Sequence, residues 1–276
     1  MRIGVIGTGT IGSLIVGAFI NSKSVKPKNI YVMNRTREKA LAVAEKFQGV
    51  NVCRSAEETI HSSDIIVICV KPLQFFPLLE PLRSLWHTDQ LVISVTSPIS
   101  VPQLEKLIPC QVARVIPSIV NEGLSGNTLV TFGTRMTDFQ KFKLWNLLGN
   151  FSKPVEINEE NIRVASDLSS CGPAFLSFFL EKMIDGAVET TSVSRKEASQ
   201  LVTEMIIGFG RLLEDNSYSL PELRKKVTVE GGITGVGLNI LEQAYHSEFN
   251  RLFAATQKKF IEDHQKVDPQ FKVLDD

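Results

Sequence analysis

The chain has 276 residues, of which 43% are hydrophobic and 22% charged, and its 30 basic side chains balance 30 acidic ones. This composition is typical of a folded globular protein and excludes an intrinsically disordered chain, which combines low hydrophobicity with high net charge. A formal charge of zero also excludes a general attraction for nucleic acids or anionic membranes, and the length favours two domains.

The cysteines and the apolar segments predict a cytoplasmic protein without a membrane partner. The four cysteines are scattered and form no C-x-x-C pair, so a disulfide framework is not expected. No apolar stretch reaches the roughly 20 residues of a membrane helix. The apolar run over residues 3–20 resembles a signal peptide, but five glycines interrupt it and no cleavage motif follows.

The first half of the chain alternates between predicted strands and predicted helices. We predict strands at residues 2–7, 30–33, 50–53, 64–70, 91–95, 112–116, 128–132 and 155–157. Apolar residues at helical spacing lie between most of these strands, for example over residues 13–20, 40–47, 100–107 and 137–148. This alternation predicts an α/β fold with a Rossmann-type, doubly wound and mainly parallel sheet.

The second half predicts helices only. No convincing strand follows Glu159, and two capping boxes begin at Ser194 and Ser219. We therefore predict an NAD(P)-binding Rossmann domain over residues 1–158. An all-α C-terminal domain is predicted over residues 159–276, with a polar tail from about Lys266.

The first strand runs into a glycine-rich turn, Gly7-Thr-Gly9-Thr10-Ile11-Gly12, that opens a helix. The G-x-G-x-x-G spacing in this context predicts a dinucleotide site, because the backbone must turn tightly and approach a pyrophosphate closely. The helix N-terminus adds unpaired N–H groups for the anion. The alternative interpretation is a purely structural glycine-rich turn.

The end of the second predicted strand favours NADP over NAD. NAD sites usually carry an acid there to bind the ribose 2′-hydroxyl, whereas this chain has Asn34-Arg35-Thr36-Arg37. Two arginines suit a 2′-phosphate, and Asn34 and Thr36 add hydrogen-bond donors. The alternative is that these residues only begin a solvated helix.

Several segments together resemble the pyrroline-5-carboxylate reductase family. They are residues 1–12, 34–36, 70–72 (Val-Lys-Pro), 168–175 (Leu-Ser-Ser-Cys-Gly-Pro-Ala-Phe) and 227–234 (Val-Thr-Val-Glu-Gly-Gly-Ile-Thr). The resemblance implies a Rossmann domain followed by a helical domain, residues 159–276, that contributes to substrate binding and dimerises by interlocking with a second subunit. It also implies reduction of the cyclic imine pyrroline-5-carboxylate to L-proline with NADPH or NADH, in a site shared between subunits.

The resemblance implies roles for the remaining candidate residues. Thr234 would hydrogen-bond the ring nitrogen, and backbone N–H groups of Gly231, Gly232 and Ile233 would hold the substrate carboxylate, near Gly172. A Gly-Gly turn before a helix is also an anion site on physical grounds, with a flexible connector as the alternative. The family places Val70, Lys71 and Pro72 beside the nicotinamide half of the cofactor; the alternative is a plain turn after a strand.

Imine reduction needs neither a metal nor a strong protein acid, because the imine takes its proton from water and the enzyme mainly positions the reactants. In agreement, His61, His87, His246 and His264 have no metal-ligand spacing, and we expect no metal site.

The chain departs from the family in its substrate segments. Val229-Glu230 stands where the family has Ser-Pro, and Ser118 stands where it has Asn. Two other functions therefore stay open: a diverged nucleotide-binding paralogue with a regulatory, competence-related role, and reduction of another imine or a 2-oxo acid. Dehydrogenases of 3-hydroxy acids share the architecture, but the G-x-x-G-x-G-x-x-x-K segment that supplies their lysine is missing.

Overall fold

The computed structural model describes residues 1–272, which form two compact units. The first unit comprises Met1–Pro173 together with the chain from Thr256 onward, and the second comprises Ala174–Ala255. Residues 273–276, the end of the predicted helical domain and tail, lie outside the described residues. The domain boundary between residues 158 and 159 stays a prediction.

A single sheet organises the first unit. Its strands within the described residues are β1 (Ile3–Ile6), β2 (Ile30–Met33), β3 (Asn51–Val52), β4 (Ile65–Ile68), β5 (Leu91–Ser94), β6 (Gln111–Ile116), β7 (Asn127–Phe132) and β8 (Lys153–Glu156). Their order is β3-β2-β1-β4-β5-β6-β7-β8, and every neighbouring pair is parallel except β6 and β7. The predicted doubly wound, mainly parallel sheet is confirmed.

Helices cover both faces of this sheet, which explains why β1, β4 and β5 are buried along their whole length. The helices are α1 (Thr10–Asn21), α2 (Arg37–Lys46), α3 (Ala56–His61), α4 (Phe75–Leu79), α5 (Val101–Leu107), α6 (Asp138–Gly149) and α7 (Ile162–Ser166). Apolar residues of α1, α2 and α6 share one core with the sheet, and those of α3, α4 and α5 share the other.

The rest of the described chain is helical, as predicted. It forms α8 (Gly172–Thr190), α9 (Arg195–Glu214), α10 (Leu220–Val227), α11 (Ile233–Ala244) and α12 (Glu248–Lys272). The two predicted capping boxes are confirmed: Ser194 pairs with Glu197, and Ser219 pairs with Glu222. No helix among residues 1–272 combines the length and the hydrophobicity needed to cross a bilayer.

The predicted polar tail from about Lys266 is wrong for the described residues. Helix α12 continues to Lys272, and the side chains of Val267 and Phe271 are only 1% and 3% exposed. Both pack into the core formed by α3, α4 and α5, with Phe75 and Leu79 as other members. Their burial is a tertiary effect, because the local sequence is polar and contains Pro269.

Candidate functional site

The three glycines of the turn between β1 and α1 have different surroundings. Gly7 has a φ of +99°, and a Cβ there would lie 2.4 Å from the carbonyl oxygen of Cys69. A Cβ on Gly12 would lie 1.9 Å from the carbonyl oxygen of Gly7, so this glycine is needed for the turn itself. A Cβ on Gly9 would meet nothing within 4 Å, so the space over Gly9 is open.

The open space over Gly9 lies at the N-terminus of α1. Gly9 is the N-cap, no side chain caps the helix, and its first turn carries no acidic residue. The N-terminal backbone N–H groups and the positive end of the helix dipole are therefore available to an anion. Thr10 and Ile11, in the same turn, are exposed. This cradle fits the pyrophosphate of a dinucleotide.

The residues after β2 stand next to the glycine turn. The side-chain amide of Asn34 donates to the Thr8 hydroxyl at 3.1 Å, and its oxygen accepts from the Thr36 backbone N–H at 2.9 Å. Arg35 and Arg37 are exposed, and neither guanidinium makes a hydrogen bond or ion pair within residues 1–272. Two uncompensated positive charges beside the anion cradle suit a phosphate.

The sheet changes its winding direction between β1 and β4, and ligands of open α/β sheets bind at such a point, outside the carboxyl ends of the strands. The Cys69 backbone N–H donates to the Ile6 carbonyl at 2.8 Å, so the ends of the two strands are joined. Val70 and Pro72 are half-buried and Lys71 is exposed, and the Gln74 N–H closes one turn on the Lys71 carbonyl at 2.8 Å. The structure thus brings Val70, Lys71 and Pro72 to the same crevice edge as the glycine turn.

The edge of the crevice also carries the thiol of Cys69, which lies next to Gly12. Burial raises the pKa of the Cys69 thiol, which keeps it protonated and poorly nucleophilic. Among the described residues, no cluster of three His, Cys, Asp or Glu side chains has a geometry that could hold a metal ion.

Gly172 follows a π-helical turn, Asp167–Cys171, that the sequence did not predict. Two reciprocal hydrogen bonds, which we call the serine clasp, join this turn to the chain after β6. The Ser118 hydroxyl donates to the Ser169 carbonyl at 2.7 Å, and the Ser170 hydroxyl donates to the Pro117 carbonyl at 2.9 Å. The clasp therefore fixes the turn that precedes Gly172 against the chain after β6.

The same turn contains a buried acid. Asp167 accepts hydrogen bonds from Arg163 at 2.7 Å and from the Thr256 hydroxyl at 2.6 Å. Each of its two carboxylate oxygens therefore has a hydrogen-bond donor. Sequence reasoning missed Asp167, Ser170 and the role of Ser118; the only local signal was a run of small polar residues before Gly172.

Sequence reasoning also missed Arg114. It lies on β6 with no side-chain exposure, pairs with the Glu159 carboxylate and donates to the Ser97 and Ile99 carbonyls at 3.2 and 3.4 Å. Arg114 therefore holds the loop after β5 against the end of the sheet. A charged residue inside the apolar run 112–116 was the signal that could have identified it.

The remaining candidate residues belong to the second unit. Gly231 has a φ of +72°, and the Gly232 N–H donates to the Val229 carbonyl at 3.0 Å, which closes the turn before α11. The N–H groups of Gly231, Ile233 and Thr234 make no hydrogen bond within residues 1–272, nor does the Thr234 hydroxyl. Thr234 and Glu230 are exposed, and Ile233 is 92% exposed.

The structure thus groups the predicted site residues in two sets. The cofactor candidates and Gly172 lie in the first unit, and Gly231, Gly232, Ile233 and Thr234 lie in the second.

Residues 159–263 match the family described as pyrroline-5-carboxylate reductase dimerisation, and residues 2–98 match the family described as NADP oxidoreductase, coenzyme F420-dependent. The chain is 45% identical to ComE operon protein 4 of Bacillus subtilis (strain 168), over 99% of this chain and 100% of that protein. It is 28% identical to pyrroline-5-carboxylate reductase 3 of the same organism, over 94% and 95% of the two chains. Among solved structures it is similar in fold to Plasmodium falciparum pyrroline carboxylate reductase with NADP bound, with a TM-score of 0.79 and 23% identity over 98% of each chain.

Proposed function

The chain belongs to the pyrroline-5-carboxylate reductase family, and from that premise we propose that it reduces the cyclic imine pyrroline-5-carboxylate to L-proline with NADPH. It has the fold of the NAD(P)-dependent oxidoreductases of this family. The observation that carries the proposal is the open anion cradle over Gly9 beside two unpaired arginines.

The cofactor is NADP(H), which supplies a hydride when it is bound. The turn that holds its pyrophosphate consists of Gly7, Gly9, Thr10, Ile11 and Gly12. The 2′-phosphate is bound by Arg35 and Arg37, with Asn34 and Thr36 as further donors. The loop of Val70, Lys71 and Pro72 borders the nicotinamide half, because it ends β4 at the crevice.

The second unit supplies the substrate-binding groups. The Thr234 hydroxyl has no partner within the described residues, so it is available to the ring nitrogen of the imine. The unpaired N–H groups of Gly231 and Ile233 bind the substrate carboxylate at the N-terminus of α11. The Gly232 N–H already bonds to Val229, so Gly232 contributes chiefly by shaping the turn. Gly172 completes the substrate set.

A homodimer or larger homo-oligomer in the cytoplasm is the form we propose for the enzyme. The match to a dimerisation family supports the assembly. The four cysteines are free, which supports a reducing compartment.

Two observations favour a second function, a nucleotide-binding regulatory protein with weak or no reductase activity. The chain is more similar to ComE operon protein 4 than to pyrroline-5-carboxylate reductase 3, with 45% against 28% identity. In addition, the exposed Glu230 places a carboxylate next to the turn that would bind an anionic substrate.

An NADPH-consumption assay with pyrroline-5-carboxylate, with L-proline quantified as the product, distinguishes the two functions. We expect turnover by the native chain. Thr234→Ala should lower kcat by about 10²-fold, the order of the loss when one positioned hydrogen bond to the reacting group is removed, with NADPH affinity unchanged. Thr88→Ala, in an exposed turn of the first unit, is the matched control. Tight NADPH binding without turnover by the native chain would contradict the reductase and support the regulatory protein.

A further inference from the structure

The end of α12 belongs to the nucleotide-binding unit although it lies beyond the dimerisation match. That match ends at residue 263, and α12 continues to Lys272. Residues 264–272, which we call the C-terminal strap, bury Val267 and Phe271 in the core beside α4 and α5. These two residues are four positions apart and so lie on the same face of the helix.

Three contacts attach the strap to the chain that follows β4 and to α5. The Phe271 ring meets the Phe76 ring edge to face, with 5.4 Å between their centroids. The Gln270 side-chain amide donates to the Leu73 carbonyl at 3.4 Å. The Gln103 side-chain amide donates to the Asp268 carboxylate at 2.8 Å.

The contacted segment adjoins the crevice. Leu73 directly follows Val70-Lys71-Pro72, and residues 72–74 form a single 3-10 turn that leads into α4. One such turn has few hydrogen bonds of its own, so its position depends on what it packs against. We infer that the C-terminal strap positions the Val70–Pro72 loop for the nicotinamide half of NADPH. This inference rests on the proposed function for the identity of the cofactor.

The physical consequence is a difference between the two halves of the cofactor site. The glycine turn and the residues after β2 form the adenine half. None of these residues takes part in the three contacts of the strap. Without the Phe271 ring, the loop after β4 loses a packing partner and must be ordered when the cofactor binds. The free energy spent on ordering the loop lowers the affinity for NADPH.

The test compares two ligands by calorimetry: NADPH, and adenosine 2′,5′-bisphosphate, which carries only the adenine half and the 2′-phosphate. Phe271→Ala should weaken NADPH by about tenfold, the order expected when one or two side chains must be ordered on binding, and leave the bisphosphate unchanged. Hydrogen exchange of the ligand-free protein should become faster at residues 73–76. Phe271→Leu should restore most of the affinity, and Phe139→Ala, a 72% exposed aromatic of the same unit, is the control.

The two affinities distinguish a failure of the positioning role from a failure of the proposed function. Equal NADPH affinity in native protein and Phe271→Ala, or an equal loss for both ligands, would overturn the positioning role. A native chain that does not bind NADPH would refute the proposed function instead. If Phe271→Ala does not fold, Gln270→Ala removes only the bond to Leu73 and should weaken NADPH by about threefold, with unchanged bisphosphate binding.

Discussion

The glycines of the turn between β1 and α1 differ in what a side chain at each position would meet. Gly12 faces backbone, so any side chain there collides with the Gly7 carbonyl. Gly9 faces open space and has a φ of −75°, a conformation that alanine adopts without strain. The motif therefore contains two glycines that the fold requires, Gly7 and Gly12, and one, Gly9, that we propose a ligand requires.

Replacement of each glycine by alanine tests this division. Gly9→Ala should leave Tm within about 3 °C of the native value, because the backbone tolerates alanine, but weaken NADPH by about 10²-fold, because its methyl group fills the cradle. Gly12→Ala should be destabilised by about 1–3 kcal/mol, as in other overpacked sites. Thermal unfolding and NADPH calorimetry measure the two effects. Normal NADPH binding by a folded Gly9→Ala variant would disprove the assignment of the cradle.

At the scale of secondary structure, the sequence predicted the elements whose signals are local. Continuous apolar runs marked β4 and β5, and capping boxes marked the starts of α9 and α10. The end of α12 was missed because only its burial against α4 makes Val267 and Phe271 core residues. The π turn before Gly172 was missed for a related reason: its serines bond to a loop about 50 residues away in sequence.

At the scale of secondary structure, the two hydrogen bonds of the serine clasp should contribute measurably to the free energy of unfolding. Ser118 is 1% exposed, so Ser118→Ala should cost about 1–3 kcal/mol, because the Ser169 carbonyl loses its donor. Ser170→Ala should cost about 1 kcal/mol. Since both bonds join the same two segments, the double variant should lose less than the sum, with a coupling of at least about 0.5 kcal/mol. Urea unfolding measures all three variants, with the exposed Ser192→Ala as a neutral control; additive losses would show that the two bonds act independently.

At the scale of the whole molecule, the second unit exposes more apolar surface than a lone helical unit normally does. Only Ile184 and Ala198 of residues 174–255 are buried. Large apolar side chains are exposed on α8, α9, α10 and α11, among them Phe178, Leu201, Leu220, Val236, Ile240 and Leu241. Numerous exposed large apolar side chains are typical of a protein–protein interface, and the dimerisation match covers the same residues. A second copy of the chain is therefore the partner we propose for this surface.

A charge placed on α11 tests this assembly. Ile240 is 65% exposed in the single chain, and Ile240→Glu would bury an unpaired carboxylate if a partner covers the surface. We expect the native protein to sediment as at least a dimer and its Tm to rise with protein concentration, since association stabilises only the folded state. Ile240→Glu should weaken association by about 10²-fold or more, which corresponds to about 3 kcal/mol. Phe139→Glu, on α6 of the first unit, should leave the assembly unchanged. A native chain that sediments as a folded monomer at all concentrations, with a Tm independent of concentration, would contradict the proposed association through the second unit.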